Sequence, residues 1–573
     1  MKPRSFFLIL ATGAIAIFLV GVGGFYWIVA QSPLNLLAGG VNIYPHAAIF
    51  VPKQAPAMVS LLVNPEKLSA LHQLSVPISN RNSDRLEWNQ LKTNLLANTG
   101  LDYQQDIKPW LGAEITLAIT SLDYDHNDDN GVQPGYLLAT ATKNTQLAKE
   151  FLETSLFKKA IASKTDLVFE QYKGVKIISH RVLSTKFSRK SNPSIWASAV
   201  VGDFVLFANQ PQVLREAINN AQAVNLNLDH ADYYQAALNT IEQPQIGLAY
   251  INYPSASAWL EETAVVETPN FEQMLTVAFS IRQSGLAAET ALIGIERVRD
   301  SAQPRLRDRT LTLSKPVNAL SYLPAENIVA LAGKDLAGLS SQFTTDLNLD
   351  TPVAKLVNQI LTRVQTALEI DLAADIFPWV KGEYALSLVS QPQTSDFGWL
   401  FVAESTPEAD GDLNEAISHL DNLAQQRGLD VSRFQVGDNQ ITTWTKLTTA
   451  SSASGRNSVT LNTDVKGAYS HTDKYVFLAS SLEAIATALN HQNSGFYNPE
   501  LPKIVKALPV DNDGYVYINF ADGKSMLEKQ IPTIRVMELV EQSLFDHLRA
   551  IAFSSKGTHD SISRATILFN FDE

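Results

Sequence analysis

The chain carries the segment Gly247-Leu-Ala-Tyr-Ile-Asn-Tyr253 and, near its C-terminus, a second version of it, Gly514-Tyr-Val-Tyr-Ile-Asn-Phe520. Extended as far as Glu261 and Glu528, the two versions share six identities in fifteen positions at an offset of 267 residues. Such a match indicates an internal duplication. Its period is much longer than that of a solenoid repeat, so the sequence predicts that a whole domain is duplicated.

A second repeated segment lies upstream of the first in both parts of the chain. Asp106-Ile-Lys-Pro-Trp110 corresponds to Asp375-Ile-Phe-Pro-Trp379, and Glu114 then corresponds to Glu383. Both repeated segments occur in the same order and at nearly the same offset. The sequence therefore predicts a first copy over residues 45–300 and a second over 316–573, with a connector over 301–315 between them.

The hydrophobic spacing inside each copy changes repeatedly between period 2 and period 3.6, which is typical of strands and helices in turn. Many of the predicted strands are separated by short polar loops, and this favours hairpins and a mainly antiparallel sheet. The predicted fold class is α+β: two tandem copies of a mainly antiparallel sheet with helices on one face, preceded by one N-terminal transmembrane helix.

The N-terminus has the composition of a membrane span. No charged residue occurs from Phe6 to Ala30, and a helix of this length crosses a hydrocarbon core of about 30 Å. Lys2 and Arg4 precede the span, and no basic residue follows it before Lys53. The positive-inside rule then orients the chain. The prediction is a cytoplasmic N-terminus over residues 1–5, a single transmembrane helix over 6–30, a juxtamembrane linker over 31–44, and an extracytoplasmic remainder.

These features resemble domain-of-unknown-function family 3352, whose members are largely cyanobacterial. The resemblance rests on the two Asp-Ile-x-Pro-Trp segments, the two Gly-x-x-Tyr-Ile-Asn strands and the single N-terminal anchor, and it covers nearly the whole chain. It implies a single-pass membrane protein whose bulk faces the periplasm or the thylakoid lumen. It implies no activity, cofactor or catalytic residue.

Composition excludes several classes of protein. The 573 residues are 45% hydrophobic and 18% charged, which is typical of globular domains. The chain contains no cysteine, so disulfides, thiolate nucleophiles and cysteine-based metal sites are excluded. Its formal net charge of −13 repels phosphate backbones, and we therefore expect no nucleic-acid partner.

The sequence contains no recognisable catalytic motif. It has neither the Gly-x-Ser-x-Gly elbow of serine hydrolases nor the His-Glu-x-x-His pattern of zinc enzymes. The polar residues shared by the two copies include no nucleophile and no histidine, which favours structural roles for them. We therefore expect no catalytic residue, no metal and no cofactor. The shared polar residues are Asp106 and Asp375, Glu114 and Glu383, Asn252 and Asn519, and Glu261 and Glu528.

One acidic loop could bind a metal weakly. Its aspartates are Asp123, Asp125, Asp128 and Asp129, and carboxylate oxygens are the ligands that calcium prefers. The loop does not have the spacing of an EF-hand. Two interpretations remain open, a solvated hairpin loop and a weak calcium site.

Three functions remain open. The first is a non-enzymatic, membrane-tethered extracytoplasmic binding or scaffold protein for an envelope or thylakoid complex, with a protein partner and with loops at Thr448–Thr460 and Lys186–Ser194 as candidate contacts. The second is a carrier of an apolar ligand, a lipid or a pigment, held between the sheet and its helices. The third is a hydrolase without a recognisable motif, which would need carboxylates that converge in space or a Ser–His contact.

Overall fold

The fold was analysed in a computed structural model. It describes residues 44–63, 102–125, 127, 131–163, 166–181, 197–241, 245–261, 271–282, 285–298, 301–304, 313–324, 327–334, 336, 362, 365, 371–390, 397–406, 410–437, 439–451, 459–490, 500–521, 523–524, 548–560 and 562–571. All structural statements below concern these residues.

The described strands belong to one sheet, and their pairings are antiparallel. Their bounds are β1 Ala57–Leu61, β2 Leu111–Ser121, β3 Gly135–Thr142, β4 Asp166–Tyr172, β5 Val175–Arg181, β6 Ala197–Val201, β7 Phe204–Ala208, β8 Gly247–Asn252, β9 Phe271–Arg282, β10 Gly285–Val298, β11 Ser301–Pro304, β12 Asn327–Lys334, β13 Glu383–Ser390, β14 Phe397–Glu404, β15 Asp430–Val436, β16 Asn439–Ser451, β17 Val459–His471, β18 Tyr475–Ala479, β19 Tyr515–Asn519, β20 Leu548–His559 and β21 Ile562–Phe571.

Helices accompany the strands. The α-helices are α1 Thr145–Ser163, α2 Pro211–Gln222, α3 Asp232–Asn239, α4 Tyr253–Glu261, α5 Leu372–Asp375, α6 Asp410–Gln426, α7 Leu482–Leu489 and α8 Glu500–Ala507. Short 3-10 helices cover His46–Phe50, Asn318–Tyr322 and Phe377–Trp379, and one π-helical turn covers Tyr103–Ile107.

The strand order is the same in the two halves of the sheet. The first half runs β4-β5-β6-β7-β3-β2-β1-β8-β9-β10. The second half runs β15-β16-β17-β18-β14-β13-β12-β19-β20-β21. The additional strand β11 pairs with the end of β10. Strands β4 and β15 therefore lie at the two ends of the described sheet.

The halves meet at a seam between β10 and β21. The seam pairs the residues from Leu286 opposite Phe569 to Ile293 opposite Ile562. Glu289 and Thr566 are each the fifth residue of their strand, and they lie directly opposite one another. The seam therefore joins equivalent positions of the two halves.

The predicted fold class is wrong in its arrangement. We expected two tandem copies, each with its own sheet, but the seam makes one continuous antiparallel sheet. One hydrophobic core also contains Leu286 of the first half together with Phe401 and Val516 of the second. The physical reason is that β10 and β21 each need a partner for their backbone groups, and hydrophobic periodicity does not reveal which strand supplies it.

Helices cover both faces of the sheet, not one as predicted. On β14, Trp399 and Phe401 point to the core that includes α5 and α6, which we call face A. Leu400 and Val402 point to the core that includes α7 and α8, which we call face B. Helix α1 packs on face A and helices α2 and α3 pack on face B. Strands that are apolar on both sides require cover on both sides.

The transmembrane helix predicted over residues 6–30 lies outside the described residues. Among the described helices, none has the length and apolar composition needed to cross a membrane. The structure therefore does not support this part of the predicted fold.

Candidate functional site

The shared aspartates hold local turns. The carboxylate of Asp106 accepts a hydrogen bond of 2.8 Å from the amide of Asp102, and Asp375 accepts one of 2.9 Å from the amide of Asp371. Asp102 and Asp371 in turn accept from the amides three residues further along the chain. Reciprocal bonds of this kind satisfy the free donors at the start of a helical turn.

The shared tryptophans complete the same turns. Trp110 donates from its indole nitrogen to the carbonyl of Asp106 at 2.7 Å, and Trp379 donates to the carbonyl of Asp375 at 3.0 Å. Both rings are buried, and Trp379 packs edge-on against Phe401 of β14. The repeated Asp-Ile-x-Pro-Trp segment therefore fastens a turn to face A in each half.

Glu114 lies buried beneath the first 3-10 helix. Its carboxylate accepts from the amides of His46 at 3.0 Å and Ala47 at 2.8 Å, and from the hydroxyl of Thr116 at 3.1 Å. Thr116 also bonds Ser60. Burial raises the pKa of the Glu114 carboxyl above its ordinary value of 4.5, and these hydrogen bonds offset only part of the rise.

Glu383 has the equivalent position in the second half. Its carboxylate accepts from the amides of Asn318 at 3.0 Å and Ala319 at 3.2 Å, and the hydroxyl of Tyr475 donates to it. Burial and the bond to Glu383 raise the pKa of Tyr475. Both glutamates therefore bind the N-terminus of a 3-10 helix, which is a structural use of a carboxylate.

The burial of Glu114 gives a prediction about pH. Because folding raises the pKa of Glu114, this residue contributes most to the free energy of unfolding below about pH 4.5, its ordinary pKa in the unfolded chain. The contribution is lost as the pH rises through the pKa of the folded protein. Glu114→Gln cannot titrate. We expect the unfolding free energy of the wild type to decrease relative to that of Glu114→Gln between pH 4.5 and neutrality. Urea titrations at a series of pH values measure this difference. A constant difference, or one that changes in the opposite direction, would contradict the prediction.

Of the remaining shared polar residues, Asn252 has a described hydrogen bond. Asn252 accepts from the amide of Ser255 at 3.4 Å, at the start of α4. Glu261 is the last residue of α4, and Glu528 lies outside the described residues. The carboxylates of Asp106 and Glu114 bond different backbone segments. These local contacts are not those of an acid–base pair acting on one substrate.

The acidic loop uses its carboxylates on its own backbone. Asp123 accepts from the amides of Gln133 at 3.1 Å and Asn127 at 3.1 Å, and Asp125 also accepts from Asn127. The other two calcium candidates, Asp128 and Asp129, lie outside the described residues. Within the described part of the chain, no group of three or more potential metal ligands comes together.

The end strand β15 exposes large apolar side chains that the sequence analysis did not single out. Phe434 is 44% exposed and Val436 is 37% exposed, and both project to face B. Phe434 lies opposite the buried Ile441 of the neighbouring strand. Strand β15 pairs with β16 alone among the described strands, so its outer edge has no strand partner there. The alternation of Phe434 and Val436 near a turn glycine was the available sequence signal.

At the opposite end of the sheet, on β4, an ion pair occupies the corresponding position. Glu170 of β4 lies opposite the buried Ile177, just as Phe434 lies opposite Ile441. Glu170 accepts two hydrogen bonds, of 3.0 and 3.1 Å, from Arg215 of α2. The second half therefore presents an exposed aromatic ring where the first half has an ion pair.

A ribbon formed by β16 and β17 lies beside the end strand. Its strands pair as far as Ser451 opposite Val459, and Leu447 on it is 49% exposed. The ribbon includes both ends of the candidate contact loop Thr448–Thr460, whose residues 452–458 lie outside the described part. The other candidate loop, Lys186–Ser194, lies wholly outside it. We call Phe434, Val436 and Leu447 the end-strand surface.

Helix α6 bonds both strands of the ribbon. Asp421 of this helix accepts from the indole of Trp444 at 2.8 Å and from the hydroxyl of Tyr469 at 3.0 Å. Burial, together with the nearby Asp421, raises the pKa of Tyr469. The end-strand surface is therefore carried by strands that are fixed to a helix from face A.

Comparisons with known proteins identify one family. A family model described as "Protein of unknown function (DUF3352)" matches residues 10–571. No curated protein and no solved structure matches the chain.

Proposed function

The chain belongs to the DUF3352 family, whose description assigns no activity, and we propose that it is a non-enzymatic binding or scaffold protein. The proposal rests on the arrangement of this chain's own side chains. The partner of the chain is a protein that contributes an extended, apolar segment to the end-strand surface. The observation that supports this proposal is the exposure of Phe434 and Val436 on β15, the end strand of the described sheet.

An edge strand offers a row of backbone donors and acceptors to a second strand. Natural edges are commonly protected by lysine, proline or a bulge, and β15 contains neither residue and pairs with β16 without a register shift. Phe434 and Val436 would supply side-chain recognition, because alternate residues of a strand face the same side. Leu447 is a separate exposed apolar residue, six residues beyond Ile441 on β16.

The use of the shared polar residues also supports a role without catalysis. Asp106, Asp375, Glu114 and Glu383 all bond backbone amides of turns and short helices. A carboxylate that serves in this way stabilises the fold. This favours the binding proposal over a hydrolase.

The test is affinity purification of full-length variants from native membranes and soluble fractions, followed by mass spectrometry of proteins and extracted small molecules. The double variant Phe434→Ser and Val436→Ser removes the apolar pair. Burying two such side chains contributes several kcal/mol, so we expect at least about a tenfold loss of the co-purifying partner.

The matched control is the double variant Val168→Ser and Phe169→Ser on β4, where two apolar residues are also exposed at the opposite end of the sheet. It should retain the partner at the wild-type level. Equal recovery with both double variants would contradict the proposal. A bound lipid or pigment without a protein partner would instead favour the carrier function.

The extracytoplasmic location, in the periplasm or the thylakoid lumen, stays a prediction. It depends on the composition of residues outside the described part of the chain.

A further inference from the structure

A group of polar residues lies in the middle of the sheet, on face B, where the seam joins the two halves. We call Arg282, Glu289, Lys556, Arg564 and Thr566 the seam cluster. Glu289 and Thr566 are direct partners across the seam, and Arg564 lies two residues from Thr566 on the same face of β21. Helix α8 of the second half borders the cluster, because its residue Ala507 accepts from Arg282 through its carbonyl.

The cluster is positively charged in an acidic protein. Among the described residues it contains three cations and one carboxylate, whereas the whole chain carries a formal charge of −13. Arg282 contacts Glu289 at 2.6 Å, and Lys556 reaches the same carboxylate oxygen at 3.8 Å. The cluster thus keeps an excess of two positive charges.

Several buried donors of the seam have no acceptor among the described residues. The hydroxyl of Thr566 and the Nε atoms of Arg282 and Arg564 are buried without a hydrogen-bond partner. The hydroxyl of Ser280, on β9 and on the same face, is also buried and without a partner. Burying a donor without an acceptor is costly. Two of these donors lie on β9 and two on β21, on either side of β10, and they indicate that an acceptor from outside the described residues belongs there.

We propose that the seam cluster binds a phosphate group. Phosphate offers only acceptors and negative charge, and therefore matches hydroxyl and guanidinium donors that have no partner. Arg564 and Lys556 supply the charge, and the hydroxyl of Thr566 supplies a neutral donor. Glu289 fixes Arg282 through their ion pair.

Solvent reaches the cluster at Arg282 and Lys556, whose side chains are 21% and 28% exposed, whereas Thr566 is buried. The phosphate could be free in solution or belong to a lipid headgroup, since both present the same chemistry. This inference is independent of the end-strand surface, which lies at the far end of the second half.

The test measures binding to the full-length protein by calorimetry and by thermal unfolding. Inorganic phosphate is compared with chloride at matched ionic strength. We expect phosphate to raise the midpoint of thermal unfolding and to give a saturable heat of binding. Arg564→Gln should lower the affinity about tenfold or more, since it removes a charge-assisted hydrogen bond.

Two further variants separate binding from folding. Thr566→Val removes the hydroxyl but keeps the shape of the side chain, and it should weaken phosphate binding without lowering the thermal midpoint in chloride. Arg433→Gln, which removes an exposed cation far from the seam, should bind as the wild type does. The proposal fails if phosphate shifts the midpoint no more than chloride does, or if Arg564→Gln responds like the wild type.

A soluble short-chain phosphatidic acid distinguishes the two sources of phosphate. Tighter binding of this lipid than of inorganic phosphate supports a headgroup at the seam cluster. Equal binding of the two supports free phosphate.

Discussion

Gly285→Ala is expected to cost more stability than any other single substitution that we propose, because Gly285 lies where the two halves touch. Its φ angle is +139°, a conformation that L-residues rarely adopt. A Cβ atom there would lie 2.0 Å from the carbonyl oxygen of Phe569 in β21. The strain alone costs about 1–3 kcal/mol. Relief of the clash requires β10 and β21 to separate, so we expect a total loss above about 4 kcal/mol.

Chemical denaturation of the full-length chain measures this loss. The matched control is Gly202→Ala, since Gly202 also has a positive φ, of +56°, but nothing lies within 4 Å of the added Cβ atom. It should lose only about 1–2 kcal/mol. If the two variants lost the same free energy, the close approach at the seam would not be the cause.

Trp379→Ala is expected to have the second largest effect. Trp379 is buried on face A, packs against Phe401 and donates to Asp375. Removal of a buried tryptophan leaves a large cavity and costs about 3–5 kcal/mol. The loss should appear as a lower urea midpoint for unfolding.

Trp379→Phe is the control for this prediction. It keeps an aromatic ring but loses the indole hydrogen bond, which is worth about 1 kcal/mol. It also leaves a smaller cavity, so its loss should stay well below that of Trp379→Ala. Equal losses in the two variants would show that the hydrogen bond, rather than the packing, stabilises this turn. Trp110→Ala tests the same role in the first half.

The sequence predicted many elements of the first half correctly. The apolar spacing predicts a strand over residues 135–142, which is β3, and a helix that begins at Pro211, which is α2. Strand β9 was missed because buried polar residues such as Thr276 and Ser280 blur its alternation. Strand β4 was missed because an end strand has no fully buried face to impose a period of two.

The arrangement of the sheet and the seam cluster could not be predicted in this way. Thr290 bonds the carbonyl of Ala565 across a separation of 275 residues. Periodicity reports the local environment of a strand but not its distant partner. Glu289 and Arg564 approach only because of that pairing, and they belong to neither repeated segment. The structural roles of Glu114 and Glu383, in contrast, were favoured by the sequence, because the polar residues shared by the two copies include no nucleophile and no histidine.

The large separation of β10 and β21 along the chain has a consequence for biosynthesis. The ribosome releases β10 long before its partner strand exists, since the two strands are separated by 275 residues at Thr290 and Ala565. At roughly 5–20 residues per second, β10 waits on the order of tens of seconds with one edge open. Open apolar edges recruit other chains, and an inward-pointing charge is a known deterrent. Glu289, in the middle of the apolar residues of β10, is therefore well placed to protect the nascent chain until β21 has been synthesised.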